Sequence, residues 1–246
     1  MSSKNQLISW FLKNRKALPW RPEDPYAFRN DYFVWISEIM LQQTQVAAVC
    51  EHFSRWILRF PKISDLAKAS EKDVLSHWQG LGYYSRAKNI LRTAQILVRD
   101  YNGFLPASRK ELEALPGIGK YTAGAILSLA RHEKEAILDG NLIRIFSRLE
   151  KIPFLPDQKS SSDFYWNIAR EWSSSKKAFL INEALMELGR NCCKVKNPTC
   201  NVCPLKANCK AFISKQISLF PPKKKKSFEE WIGLVLVIES ENGKIF

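Results

Sequence analysis

Apolar residues recur at helical spacing along most of this chain. Leu142, Ile145, Phe146 and Leu149 fall at i, i+3, i+4 and i+7, which places them on one face of a helix. The same periodicity predicts helices over residues 6–13, 33–49, 72–78, 85–98, 108–115, 121–130, 142–149, 163–172 and 178–188. Ser108 and Glu111 have the spacing of a capping box, which sets the start of the 108–115 helix. No segment before residue 231 reads as a strand, and no internal repeat is evident. The pattern changes near the end. Pro221 and Pro222 lead into four consecutive lysines, Lys223 to Lys226, the composition of an extended, solvated linker. Residues 233–239 (GLVLVIE) are then rich in β-branched and aliphatic side chains and predict a strand. One strand cannot be a domain. The expectation is an all-α fold that ends just inside a second, β-containing domain.

Composition narrows the partners. With 246 residues the chain can bury a core without disulfide staples. Its net charge is +14 and its pI about 9.6, a balance that favours a polyanion, of which nucleic acid is the commonest. The best apolar run, 231–238, contains Gly233 and is too short to span a bilayer. Residues 7–12 are too short and interrupted for a signal-peptide core. A cytoplasmic, nucleoid-associated protein with no membrane partner is expected.

Six cysteines are present, five of them between Cys192 and Cys209. Disulfide frameworks spread cysteines through a chain, so this crowding reads as metal ligation in a reducing compartment. Cys193, Cys200, Cys203 and Cys209 form C-x6-C-x2-C-x5-C, and four thiolates can wrap one tetrahedral metal or one iron–sulfur cube. Spacing alone does not choose between zinc and iron. Cys192 stands outside the pattern, and Cys50 reads as a small buried hydrophobe.

Between two helical segments lies LPGIGK, Leu115 to Lys120. Pro116 stops the first helix, and Gly117 and Gly119 permit a tight turn whose N–H groups can hold a phosphate. It is too short for a Walker loop, and an ordinary helix–turn–helix connector is the plain alternative. Two acidic residues stand out. Glu38 projects from a helix face shared with Val34, Trp35 and Leu41, where desolvation would raise its pKa and suit it to general-acid chemistry. A helix-surface carboxylate is the competing reading. Asp139 opens Asp-Gly-Asn before a helix, where it is either an N-cap or a fixed carboxylate facing a developing cation.

SEIMLQQTQV (37–46), GLGYYSRAKN (80–89), LPGIGKYTAGAILSLA (115–130), ILDGN (137–141), NEALMELG (182–189) and the cysteine spacing occur in that order. As a set, over residues 5–220, they resemble the adenine DNA glycosylases of MutY type in the helix-hairpin-helix superfamily. The resemblance implies a 4Fe–4S cluster on Cys193, Cys200, Cys203 and Cys209. It implies two helical lobes: a six-helix barrel bearing the hairpin (29–135) and a cluster lobe from both chain ends (1–28 and 136–212). A basic linker (213–230) and the start of a truncated Nudix-like domain (231–246) would follow. It implies that Glu38 protonates adenine N7, that Asp139 stabilises the sugar cation, and that Asn141 and Tyr121 support Asp139. Trp20, Arg21, Leu41 and Glu183 match the adenine pocket, Gln43 and Tyr83 the side chains that wedge into the base stack. Leu115, Gly117, Gly119 and Lys120 match the phosphate clamp. The expected partner is double-stranded DNA with adenine opposite 8-oxoguanine or guanine, bound by a monomer.

Bifunctional relatives resembling endonuclease III carry a lysine nucleophile where this chain has Tyr121. Lys120 is one step earlier, a rotation of roughly 100° on a helix, so a monofunctional enzyme is expected. Between Pro25-Tyr26 and Val34-Trp35, residues 27–33 carry an apparent insertion of about four residues relative to the family. A glycosylase for thymine or an oxidised pyrimidine, and a non-catalytic iron–sulfur DNA-binding module, are the competing functions.

Overall fold

The computed structural model describes residues 2–156, 159–223 and 242. They form α1 (Ser3–Asn14), α2 (Asp31–Leu41), α3 (Val46–Arg59), α4 (Ile63–Ala67), α5 (Glu71–Trp78), α6 (Ser85–Asp100), α7 (Arg109–Glu113), α8 (Lys120–Ala125), α9 (Gly140–Glu150), α10 (Lys159–Trp172), α11 (Ala178–Asn191) and α12 (Lys210–Ile213). A π-turn, Ile126–Ala130, continues α8. No strand occurs among the described residues, and the fold is all-α. The strand expected at 233–239 and the linker lysines 224–226 lie outside the described residues. No helix of the described residues is long and apolar enough to cross a membrane.

Most of the expected helices form. Ser108 caps α7 as the capping box requires, its hydroxyl accepting from the Glu111 amide at 3.2 Å and donating to the Glu111 carboxylate at 2.5 Å. The helix expected over 33–49 is different: it breaks after Leu41, and a second helix runs on from Val46 to Arg59. The cause is distant in sequence. The Arg86 guanidinium donates to the carbonyls of Ile39 (2.7 Å), Met40 (3.3 Å) and Gln42 (2.6 Å), so the end of α2 is capped from α6. Gln43 then takes a left-handed φ of 60° and redirects the chain. Beyond the break, Val49, Phe53 and Trp56 bury one face of α3.

The core is continuous and rich in aromatic rings. Trp56 packs edge-on against Phe60 (5.0 Å) and Trp78 (5.6 Å), all fully buried. Tyr32 accepts from Trp56 Nε1 at 3.0 Å and donates to the Phe60 carbonyl at 2.9 Å, while Trp78 Nε1 donates to the Gly82 carbonyl at 3.0 Å. This cluster ties α2 to α3. On its other side α2 packs against α8 and the π-turn, so its second half is enclosed. At the far end α11 packs against α1, α9 and the π-turn, and α12 packs on α9. Asn208 reaches Ser3, which brings residues from both ends of the chain into contact.

Candidate active site

Glu38 sits on the enclosed face of α2 and is 4% exposed. Among the described residues its hydrogen-bond donor is the Tyr121 hydroxyl, 2.8 Å from Oε2. Burial pushes the Glu38 carboxyl up to about 7; the Tyr121 bond opposes this, and the neighbouring Asp139 charge adds to it. Burial and the same two acids drive the Tyr121 phenol well above its ordinary range, so it stays a donor.

Asp139 is the N-cap of α9 and also lines the cavity into which Glu38 opens. Oδ1 accepts the amides of Asn141 (3.0 Å) and Leu142 (2.8 Å), and Oδ2 accepts Asn141 Nδ2 at 2.7 Å. Asn141 is fixed in turn by Arg144, whose guanidinium donates to Asn141 Oδ1 (2.9 Å) and to the carbonyls of Gly189 (2.8 Å) and Cys193 (2.7 Å). A Cβ on Gly189 would stand 2.7 Å from the Asn141 Cβ, so only glycine lets α11 approach this closely.

The cavity has a volume of about 490 Å³. Trp20, Leu41 and Met186 give it apolar wall, and Glu183 on α11 gives it a buried carboxylate. Arg21 Nε lies 2.5 Å from Glu183 Oε1, and Arg21 also bonds Glu187 at 3.1 Å. Arg29 Nη2 lies 2.5 Å from Glu183 Oε2. Sequence reasoning missed Arg29, Arg144 and Arg86. The apparent insertion at 27–33 was the one signal pointing to Arg29.

Outside this cavity a second groove joins Gln43, Gly119 and Lys120 to Glu38, Tyr121, Asp139 and Asn141. Lys120 is exposed there and does not line the inner cavity, whereas Tyr121 does. In the hairpin Leu115 and Ile118 are buried, Gly117 has φ 78° and Gly119 is the N-cap of α8 with no side-chain cap. A Cβ at Gly117 would lie 2.9 Å from the Asn89 Cβ; at Gly119 it would meet nothing within 4 Å. Gln43 and Tyr83 are both exposed and both left-handed, Tyr83 at φ 47°. Arg86 unites their loops, adding bonds to the Leu81 (2.8 Å) and Gly82 (3.2 Å) carbonyls to those at the end of α2.

Cys193, Cys200, Cys203 and Cys209 are partly buried and free of disulfides. Arg148 Nη1 donates to Cys193 Sγ at 3.4 Å, and Cys209 Sγ donates to the Arg148 carbonyl at 3.4 Å. Burial pushes the Cys200 and Cys209 thiols up, and the neighbouring Cys193 adds to it. Cys192 is buried, its thiol donating to the Thr199 carbonyl at 3.2 Å. Among the described residues, no three Cys, His, Asp or Glu side chains converge as a site for a single metal ion.

Comparison with known proteins decides the family. Residues 36–170 match the model of the HhH-GPD superfamily base excision DNA repair proteins. An adenine DNA glycosylase of Buchnera aphidicola is 41% identical over 238 residues, covering 96% of this chain and 67% of its own length. The chain belongs to the adenine DNA glycosylase family. The mouse and human adenine DNA glycosylases are each 38% identical over 85% of this chain, which spans only 41% and 39% of their lengths. A thermostable thymine-DNA glycosylase shares the fold at TM-score 0.75, with 24% identity, covering 86% of this chain and 95% of its own. Endonuclease III in a non-covalent complex with DNA does so at TM-score 0.69, with 20% identity, covering 87% and 98%.

Proposed function

We propose that this chain hydrolyses the N-glycosidic bond of adenine mispaired with 8-oxoguanine or guanine in double-stranded DNA. The observation that supports this best is the convergence of a buried Glu38 and a rigid Asp139 on one cavity large enough for a flipped base. Glu38 gives its proton to adenine N7. The C1′–N9 bond then breaks with its electron pair passing to the base. Asp139 faces the cation left on the sugar, and water adds at C1′, its proton returning to the Glu38 carboxylate, to leave an abasic site. Asp139 does not have to reorganise for this step, because Asn141 and the α9 amides already hold it.

The enzyme acts as a monofunctional glycosylase. Tyr121 occupies the inner position and is committed to Glu38, while Lys120 stays in the outer groove. DNA runs across that groove, with the Leu115 to Lys120 hairpin on its backbone and Gln43 and Tyr83 in the base stack. The net charge of +14 favours such binding.

Four free thiols, one of them Cys193 against the Arg148 guanidinium, are a donor set whose chemistry fits a 4Fe–4S cluster. Cys193, Cys200, Cys203 and Cys209 would hold it and would thereby fix the loop between them, which the Cys193 carbonyl joins to Arg144. The purified chain is expected to be brown, with absorbance near about 400 nm.

The deciding assay measures base release from duplexes with A opposite 8-oxoguanine, A opposite G, and T opposite G. Adenine release from the first two and none from the third is expected. Thymine release would move the enzyme to a different base, and tight binding without release would make it a binding module. Strand nicking without alkali, with Lys120 trapped by borohydride, would overturn the monofunctional assignment.

A further inference from the structure

The loop before α2 carries a charge into the cavity wall. Phe28, His132 and Phe179 stack in a column, with ring centroids 4.4 Å apart for Phe28 and His132 and 3.7 Å apart for His132 and Phe179. On either side of Arg29, the Arg131 guanidinium binds Asp31 at 2.6 and 2.9 Å, and the Arg29 amide reaches the Ala130 carbonyl at 3.4 Å. The loop is therefore held by its own contacts, independently of Glu183. It delivers the Arg29 side chain, 4% exposed, to Glu183 Oε2.

Glu183 then has a cation on each oxygen, Arg29 on Oε2 and Arg21 on Oε1. An ionised carboxylate is an acceptor only, whereas a protonated one also donates. Each Glu183 oxygen has a further lone pair available to a base in the cavity. Adenine presents an exocyclic amine to such an acceptor; purine presents nothing, and hypoxanthine presents another acceptor.

We propose that Arg29 is a specificity-determining positioning residue, which by pairing with Glu183 keeps that carboxylate an acceptor and so makes the cavity demand an exocyclic amine. This rests on the adenine glycosylase reading above. The electrostatics agree with it. Burial alone would raise the Glu183 carboxyl, but Arg29 first and Arg21 second override it, with Arg15 adding a smaller effect, and the net lies below the ordinary range. The other titratable or charged groups around it are Glu38 from α2, Asp139 at the start of α9, His132 stacked on Phe179, and Glu187 and Arg190 from its own helix, of which Glu187 is already matched by Arg21 and Arg190. Arg21 is thus shared between two carboxylates, which leaves Arg29 as the partner directed at Glu183.

The test compares the parent chain with Arg29→Met, Arg29→Gln and Arg29→Lys. Single-turnover release of adenine and of purine opposite guanine is measured from pH 5 to 8. In Arg29→Met the loss of adenine release deepens as pH falls, because Glu183 then takes a proton. The adenine-to-purine ratio falls about tenfold or more. Arg29→Lys restores both. Arg29→Gln, which retains donors without the charge, behaves as Arg29→Met and replaces it if that variant does not fold. A parent pH profile and parent ratio in the uncharged variants would overturn the proposal, and so would a loss that is uniform with pH at an unchanged ratio. Infrared difference spectra against Glu183→Gln read the carboxyl group without catalysis. They should show Glu183 ionised at pH 6 in the parent and in Arg29→Lys, and protonated in Arg29→Met. Glu183 ionised in all three would reject the role of Arg29. A parent chain that releases no base from any duplex rejects the glycosylase reading instead, and the infrared comparison still decides what Arg29 does to Glu183.

Discussion

Burial gives Glu38 a proton where a surface glutamate would have lost it, and two measurable consequences follow. Activity should fall on the alkaline side as pH rises through about 7. Stability should move in the same direction. Between the ordinary value near 4.5 and the native value of about 7, the folded chain retains a proton that the unfolded chain releases. Stability associated with Glu38 is therefore fully present below pH 4.5 and lost as pH passes 7, a change of about 3 kcal/mol. Glu38→Gln should abolish base release yet melt higher than the parent at pH 8 and not at pH 4, as calorimetry can check. Asp139→Asn separates the two roles of its residue in another way. Asparagine caps helices well, so folding should be retained while single-turnover base release drops by about a hundredfold or more. Equal activity with intact folding would contradict the role given to the Asp139 charge.

At the scale of elements, legibility followed the range of the forces involved. Helices whose apolar stripes repeat locally, such as α6 and α9, could be read from the chain, and the Ser108 cap lay within three residues of its partner. The break between α2 and α3 could not, because the side chain that ends α2 is Arg86, more than forty residues away. Glu38, Asp139 and the hairpin were legible because each sits in a short motif, whereas Arg29 gains its role only when a loop is folded onto α11. Arg86→Met should take a donor from five carbonyls, of which Gly82 keeps Trp78 Nε1 and Ile39 keeps the Gln42 amide; it should lower stability by about 3 kcal/mol and weaken DNA binding by loosening the Gln43 and Tyr83 loops together. The hairpin glycines separate in the same manner. Gly117→Ala meets both a positive φ and the Asn89 side chain and should cost about 1–3 kcal/mol of stability. Gly119→Ala faces open space at an ordinary φ of −93°, so its melting temperature should stay put while its DNA affinity falls. Unchanged affinity there would remove Gly119 from the DNA-facing surface.

For the whole molecule, charge and connectivity are the governing properties. A chain of net charge +14 binding a duplex through its backbone should lose affinity linearly in log–log plots against salt, with each phosphate contact adding about 0.9 to the slope. Arg144 bonds the Cys193 carbonyl, Asn141 and Gly189 at once, so disturbance of the cysteine loop should reach Asp139. The contact of Asn208 with Ser3, and of α1 with α11, has a different consequence. During synthesis α1 leaves the ribosome before α2 to α12, yet the surface that buries Leu7 and Phe11 emerges more than 160 residues later. Its apolar face must wait in water while the chain from α2 to α10 is made, the interval in which a nascent chain is open to chaperones and to aggregation.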